Sequence, residues 1–327
     1  MISKRPLGVF LAVIALCAFA IGQDVARITI LHINDSHGQT LGNRGEDGKM
    51  HGGYPRLATL VQSIREKVGA DHVLLLHAGD EFARGDQMTT QSAGAANVAI
   101  WNQLDVSAWT PGNGDFYPGA SSLQKRIAEA KFPVLASNVS YRIGHQPVAE
   151  NSVVLKVNDV RIGLFGLCFL RKEHPSSLPL KVEEPAPAAM RIVPELRKKS
   201  DIVLALNHLG LEQDRELARA VPGIDIIVGG HSHSLLPKGN RVAAPDGKEV
   251  LIVQAGEYLQ YLGRVDLELT RTGETWTIAA AEATLILLDE SVPEDPTMKA
   301  LIAKRWPTTQ PARPSSNRPV SKPAMID

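Results

Sequence analysis

Five short apolar runs in this chain end the same way, and that shared ending restricts the fold more than any other feature. "RITILHIN" leads into Asp35 and His37, "HVLLLHAG" into Asp80, "VSAWTPG" into Asn113, "DIVLALN" into His208, and "IDIIVGG" into His231 and His233. Runs this short, rich in Ile, Val and Leu and closed by Gly or Asn, read as buried strands. Segments with helical periodicity alternate with the earlier ones: "YPRLATLVQSIREKV", "SAGAANVAIWNQL" and "SSLQKRIAEA". That alternation predicts parallel strands joined by crossover helices. Hairpin signals follow, in "SVVLKVNDVRIGLFGL" around Asn158-Asp159 and in "GRVDLELTRTGETWTIAAAEATLIL" around Thr272-Gly273. The class is therefore α/β, with mixed sheets covered by helices.

Ligand sites in open α/β sheets form at the carboxyl ends of strands. An isolated Asp or Asn there is ordinarily a cap or turn residue, but capping alone does not put polar groups at the same end of five strands. The donors are four histidines, two carboxylates and an asparagine, with no thiolate, which suits Zn, Mn or Fe. Seven ligands exceed the three or four that one zinc takes. They divide over two divalent ions about 3.5–4 Å apart if one carboxylate bridges.

These motifs resemble the calcineurin-like metallophosphoesterases, and within them the 5'-nucleotidase type, over most of Ile28 to Leu288. "ILHINDSHGQ" carries the D-x-H element, "LLLHAGD" the G-D element, "NHLG" the single-His element and "VPGIDIIVGGHSH" the G-H-x-H element; "GGYPRLATLV" and "VQAGEYLQYLGRVDLEL" extend the likeness. The resemblance implies a four-layer α-β-β-α sandwich. It also implies that Asp35, His37, Asp80 and His233 hold one ion and Asp80, Asn113, His208 and His231 the other, with Asp80 bridging and Asn113 also meeting substrate.

"GNGDFYPG" aligns with an element that usually reads G-N-H-E-F-D-x-G in that family. Asn113 is present, but the following histidine is Gly114, and Tyr117 stands where the Asp that supports the histidine is expected. Both halves of the family's catalytic His-Asp dyad are thus replaced while the metal ligands remain. Asp115, one carbon shorter than the usual Glu, reads as structural, with a weaker proton-transfer reading beside it. Two metals would still acidify a bridging water for attack at phosphorus. The missing histidine would protonate or stabilise the leaving oxygen, a contribution of about 10²–10⁴ in rate.

The function implied is a metal-dependent phosphoester hydrolase acting on a small molecule, with no nucleic-acid polymer as partner. A thiosulfohydrolase-like hydrolase and a non-catalytic metal- or partner-binding module are the alternatives. The nucleotidases resembled here usually carry a C-terminal domain that grips the base; this chain offers only a Pro-rich stretch there, so nucleotide specificity is not carried over. Lys+Arg and Asp+Glu balance at 35 each, which calls for no polyanionic partner.

The ends read differently from the middle. Lys4 and Arg5 precede an apolar run from Leu7 to Gly22 with small residues at Ala18, Ala20 and Gly22, the pattern of a secretory signal over residues 1–22. The run is short for a bilayer span of about 20 residues, so the expectation is a periplasmic or secreted protein without a stable membrane anchor. Cleavage removes Cys17 and leaves Cys168 alone in an apolar run, as a buried inert thiol. Residues 24–290 are expected to form the metallophosphoesterase domain, and 291–327 a short helix and a Pro-rich disordered tail.

The other histidines carry plainer readings. His32 and His77 lie inside strands as satisfied core or supporting residues, and His51, His72, His145 and His174 read as loop or surface positions. One of these could replace the missing acid. Arg84 and Arg171 are candidate phosphate contacts that read first as surface charges.

Overall fold

The computed structural model describes residues 24–45 and 47–306; the segment read as a signal and the Pro-rich stretch after Trp306 lie outside the described residues. The chain first lays down β1 (Val25–Ile33), β2 (Val73–His77) and β3 (Ala108–Trp109). It then builds β4 (Ser152–Val157), β5 (Val160–Cys168), β6 (Ile202–His208), β7 (Ile226–Val228), β8 (Asn240–Ala243) and β9 (Glu249–Val253). It returns with the long hairpin β10 (Tyr261–Thr272) and β11 (Thr275–Leu287).

These form a five-stranded sheet in the order β11-β10-β1-β2-β3 and a six-stranded sheet in the order β8-β9-β7-β6-β5-β4. β1, β2 and β3 run parallel, as do β5, β6, β7 and β9. The hairpin strand β10 and the edge strands β11, β8 and β4 pair antiparallel. Both sheets are mixed, as the sequence predicts.

Period-two alternation explains the layers. Ile28 and Ile30 of β1 and Leu74 and Leu76 of β2 point to one side of their sheet and meet Ile162, Leu164, Leu204, Leu206 and Val228 of the other, forming an apolar seam between the sheets. Their neighbours Leu31, Ile33 and Leu75 point the opposite way, toward helices. Those helices are α1 (Tyr54–Val68) and α2 (Ala95–Leu104), joined by a late helix spanning Pro296–Arg305. On the far side Phe165, Leu167, Val203 and Ala205 meet the helices spanning Pro185–Arg197 and Leu211–Ala220. The result is helix, sheet, sheet, helix.

Local sequence sets these elements. In α1, Pro55 enters the first turn, Leu57, Val61 and Ile64 make a buried stripe, and Gly69 at φ 94° ends the helix. The late helix is capped by the Asp295 side chain and buries Met298 and Ile302, so the short helix expected after residue 291 is packed on the core. Cys168 is buried, and burial pushes its thiol well above the ordinary value. No helix among the described residues is long and apolar enough to cross a membrane.

Candidate metal centre

The carboxyl ends of both sheets converge at one place. β1 delivers Asp35 and His37, β2 delivers Asp80, and β3 delivers Asn113 through the single turn spanning Asn113–Phe116; β6 ends in His208, and β7 leads to His231 and His233. Asp35, His37, Asp80 and Asn113 thus come from one sheet, and His208, His231 and His233 from the other. Asp35, His37, Asp80, His231 and His233 all adopt left-handed backbone, with φ of 49°, 50°, 61°, 76° and 55°. Such conformations in non-glycine residues persist where surrounding structure enforces them, and they cluster at functional sites.

Two donor groups result, Asp35 with His37 and His233, and Asp80 with His208 and His231; within each group the donor atoms all lie within 4.8 Å of one another. In the first, His233 Nε2 is 3.3 Å from Asp35 Oδ1 and 3.1 Å from His37 Nε2. In the second, His208 Nε2 is 3.4 Å from Asp80 Oδ1, and it also lies 3.9 Å from Asp35 Oδ1, which joins the groups. The backbone N–H of Gly114, next to Asn113, donates to Asp80 Oδ1 at 2.6 Å.

Supporting contacts fix which atom of three donors faces inward. His208 Nδ1 donates to the Ala78 carbonyl at 2.6 Å, and His233 Nδ1 is paired with Glu257 Oε2 at 2.7 Å, so each turns its Nε2 toward the carboxylates. Asp35 Oδ2 accepts from Asn34 Nδ2 at 2.8 Å and from the His231 N–H at 2.9 Å, which leaves Oδ1 for the centre. Asp35 Oδ1, Asn113 Oδ1 and His208 Nε2 are all buried without a hydrogen-bond partner. Buried polar atoms are seldom left so, and divalent cations are the ligands that such lone pairs fit.

The electrostatics agree. Burial alone would raise the Asp80 carboxyl, but His208 beside it holds it well below the usual carboxylate range. Burial would lower His208, yet Asp80 and Asp35 push it up to about 10. Two buried carboxylates therefore demand positive charge between them. Burial lowers His37 and His231 to about 4, leaving neutral imidazoles with lone pairs to offer.

Asp115 is committed elsewhere. Its carboxylate accepts from the backbone N–H of Asp80 at 2.9 Å, Glu81 at 2.8 Å, Phe82 at 2.9 Å and Gly112 at 2.8 Å. These bonds pin the loop after β2 to the loop after β3. Burial and the Asp80 charge raise its carboxyl to about 6.

The remaining candidates fall in several places. His77 is fully buried beneath the site, where its Nδ1 accepts from the Gly79 N–H at 3.0 Å. His32 is buried in β1, and burial lowers it to about 3. His51 pairs with Asp47 at 2.9 Å, His72 meets the Arg27 carbonyl at 3.1 Å, and His145 and Arg171 are exposed. Two of these residues make further contacts. Arg84 is exposed yet extends Nη2 to within 2.6 Å of His37 Nε2, and His174 is half-buried with its ring on Tyr117, centroids 4.0 Å apart.

Sequence reasoning did not single out Asn34, Glu257 or Glu81. The last is fully buried below the loops, accepts from Ser36 Oγ, and accepts from Tyr54 Oη at 3.1 Å; burial raises its carboxyl to about 8. Glu257 lies inside a stretch whose family likeness is visible, but no residue there has metal-ligand spacing. Glu257 and Glu81 act through partners distant in sequence, and Asn34 ties its neighbour Asp35 to the distant Gly256 carbonyl, none of which spacing reveals.

The calcineurin-like phosphoesterase family profile matches residues 28–235. Human 5'-nucleotidase is 33% identical over 310 residues, covering 85% of this chain and 52% of the relative. The chain spans about half the length of the curated relatives it matches. A 5'-nucleotidase precursor from Thermus thermophilus superposes with a TM-score of 0.77 at 28% identity, covering 86% of this chain and 58% of that one. The sulfate thiohydrolase SoxB of Thermus thermophilus shares the fold, with a TM-score of 0.74 at 20% identity, covering 85% of this chain and 60% of that one. With its profile match and two donor groups at the carboxyl ends of paired sheets, the chain belongs to the calcineurin-like phosphoesterase family, with 5'-nucleotidases among its homologues.

Proposed function

We propose that the protein hydrolyses small phosphoesters with two divalent ions held by Asp35, His37, Asp80 and His233 and by Asp80, Asn113, His208 and His231, Asp80 being shared. The observation that carries this reading is the pair of facing donor groups with buried, unpartnered lone pairs. When bound, two such ions supply Lewis acidity and acidify water enough to attack phosphorus near neutral pH. Nitrogen and oxygen donors favour Zn, Mn or Fe.

The chain's own residues supply the rest. Glu257 and the Ala78 carbonyl hold two imidazoles in place. Asp115 sets the spacing of the Asp80 and Asn113 loops. Arg84 brings a cation to the rim, suited to a phosphoryl oxygen. Gly114 and Tyr117 replace the dyad of the family this chain resembles, so its residues offer no imidazole at position 114 to the leaving oxygen. Esters with good leaving groups are the substrates this reading favours, and export to an extracytoplasmic compartment follows from the Lys4-Arg5 and Leu7–Gly22 pattern.

The test is metal content measured beside turnover of an activated aryl phosphate. Purified protein in metal-replete buffer should hold close to two ions and cleave the ester. Asp80→Ala should lower occupancy of both sites, whereas His233→Ala should empty one preferentially. One ion or none in the intact protein overturns the reading. Two ions without turnover would make it a binding module.

A further inference from the structure

Asn113 and Tyr117 are one helical turn apart, so their side chains share a face. Asn113 Nδ2 donates to Tyr117 Oη at 3.0 Å, while Asn113 Oδ1 is buried without a partner. A carboxamide binds a cation through oxygen, because the nitrogen lone pair is delocalised into the carbonyl. Its NH₂ must then face away and find an acceptor, or a buried donor is stranded. The Tyr117 hydroxyl is that acceptor.

Tyr117 is itself held. Its ring stacks on His174 with centroids 4.0 Å apart and planes 23° apart. His174 is fixed in turn, since its Nδ1 accepts from the Ser176 N–H at 3.2 Å and lies 2.7 Å from Ser176 Oγ, capping the turn Pro175–Ser177. A loop from the far sheet thereby braces a residue of the near one.

We infer that Tyr117, braced by the ring of His174, is a positioning residue that turns the carboxamide oxygen of Asn113 toward the metal centre. This rests on the dinuclear reading above. It gives the departure at position 117 a use of its own: the side chain there orients a ligand in place of supporting a catalytic imidazole.

The test is titration of the full mature chain, stripped of metal, with Mn²⁺ or Zn²⁺ by calorimetry and chelator competition, beside thermal melts. Tyr117→Phe keeps the ring and deletes the acceptor. It should weaken one of the two sites about tenfold or more and leave the other near native, the size typical of lost support behind a ligand. His174→Ala keeps the hydroxyl but removes the brace and should weaken the same site less; His174→Phe restores the stack and should recover native affinity. Native affinity at both sites in folded Tyr117→Phe overturns the inference, as does equal weakening of both sites with a lowered melting point, which signals general loosening. Fewer than two ions on the unmutated chain overturns the dinuclear reading itself, and this inference with it.

Discussion

A side chain cannot simply be restored at Gly114. A Cβ there would lie 2.8 Å from the Ala83 methyl and 3.0 Å from Asp80 Oδ1. Gly114→His should therefore lower stability by about 1–3 kcal/mol, and Ala83→Gly should recover most of that, as denaturant melts will show. With Tyr117→Asp added and metal saturating, alkyl-phosphate turnover should rise up to about 10²-fold over the native chain and aryl-phosphate turnover less, because the restored acid matters most for poor leaving groups. A flat leaving-group dependence in the native protein would instead mean that another group already donates the proton. Asp214 offers a second residue-scale test. It is fully buried, accepts from Asn207 Nδ2 at 2.9 Å, and keeps Oδ2 unpartnered. Burial raises its carboxyl from 3.8 to about 7. Between those values the folded chain keeps a proton that the unfolded chain has released, so the Asp214 contribution to stability falls as pH rises from 4 to 7. Asp214→Asn should leave the melting temperature near native at pH 4 and raise it at pH 8. The candidate donor residues were legible in the sequence because each lies at or just beyond the end of an apolar run. Asp115 was not legible as a loop clamp, since its N–H partners at Asp80, Glu81 and Phe82 lie in another loop.

At the scale of elements, the loops after β2 and β3 interlock through backbone contact. Gly79 has φ 83°, and a Cβ there would lie 2.3 Å from the Gly112 nitrogen. Gly79→Ala is expected to destabilise the fold by about 1 kcal/mol or more from the backbone conformation alone, with the steric clash adding to it. It should also lower metal stoichiometry, measured by elemental analysis, because Asp80 and Asn113 follow these two contacts directly. The strands themselves were readable, since Ile28, Ile30, Leu74 and Leu76 alternate with residues of opposite facing. Both hairpins were readable from their turn residues. Where the second hairpin goes was not: β10 returns to pair with β1, Ile30 opposite Val265, across most of the chain. Turn chemistry fixes a hairpin's bend and says nothing of its distant partner. The burial of the helix Pro296–Arg305 was equally hidden, because its apolar residues find their complement on α1 and α2, far earlier in the chain.

At the scale of the molecule, metal binding and folding should be linked, because neither candidate donor group belongs to one sheet alone. Ions that bind only the folded chain should raise its stability, by about 2.7 kcal/mol at a free concentration one hundred times the dissociation constant. Chelation should accordingly lower the melting temperature in proportion to the metal released, and readdition should restore it; a melt indifferent to chelator would contradict the linkage. The apolar seam between the sheets acquires a second meaning from this arrangement. The sheets behave as the two jaws of a caliper, with the donors at the tips and Ile30, Leu76, Leu164 and Leu204 along the arms. A volume change deep in the seam, such as Leu204→Ala, should shift the tips without touching a candidate donor. Metal affinity, measured by calorimetry in that variant, should then report core packing far from the donors.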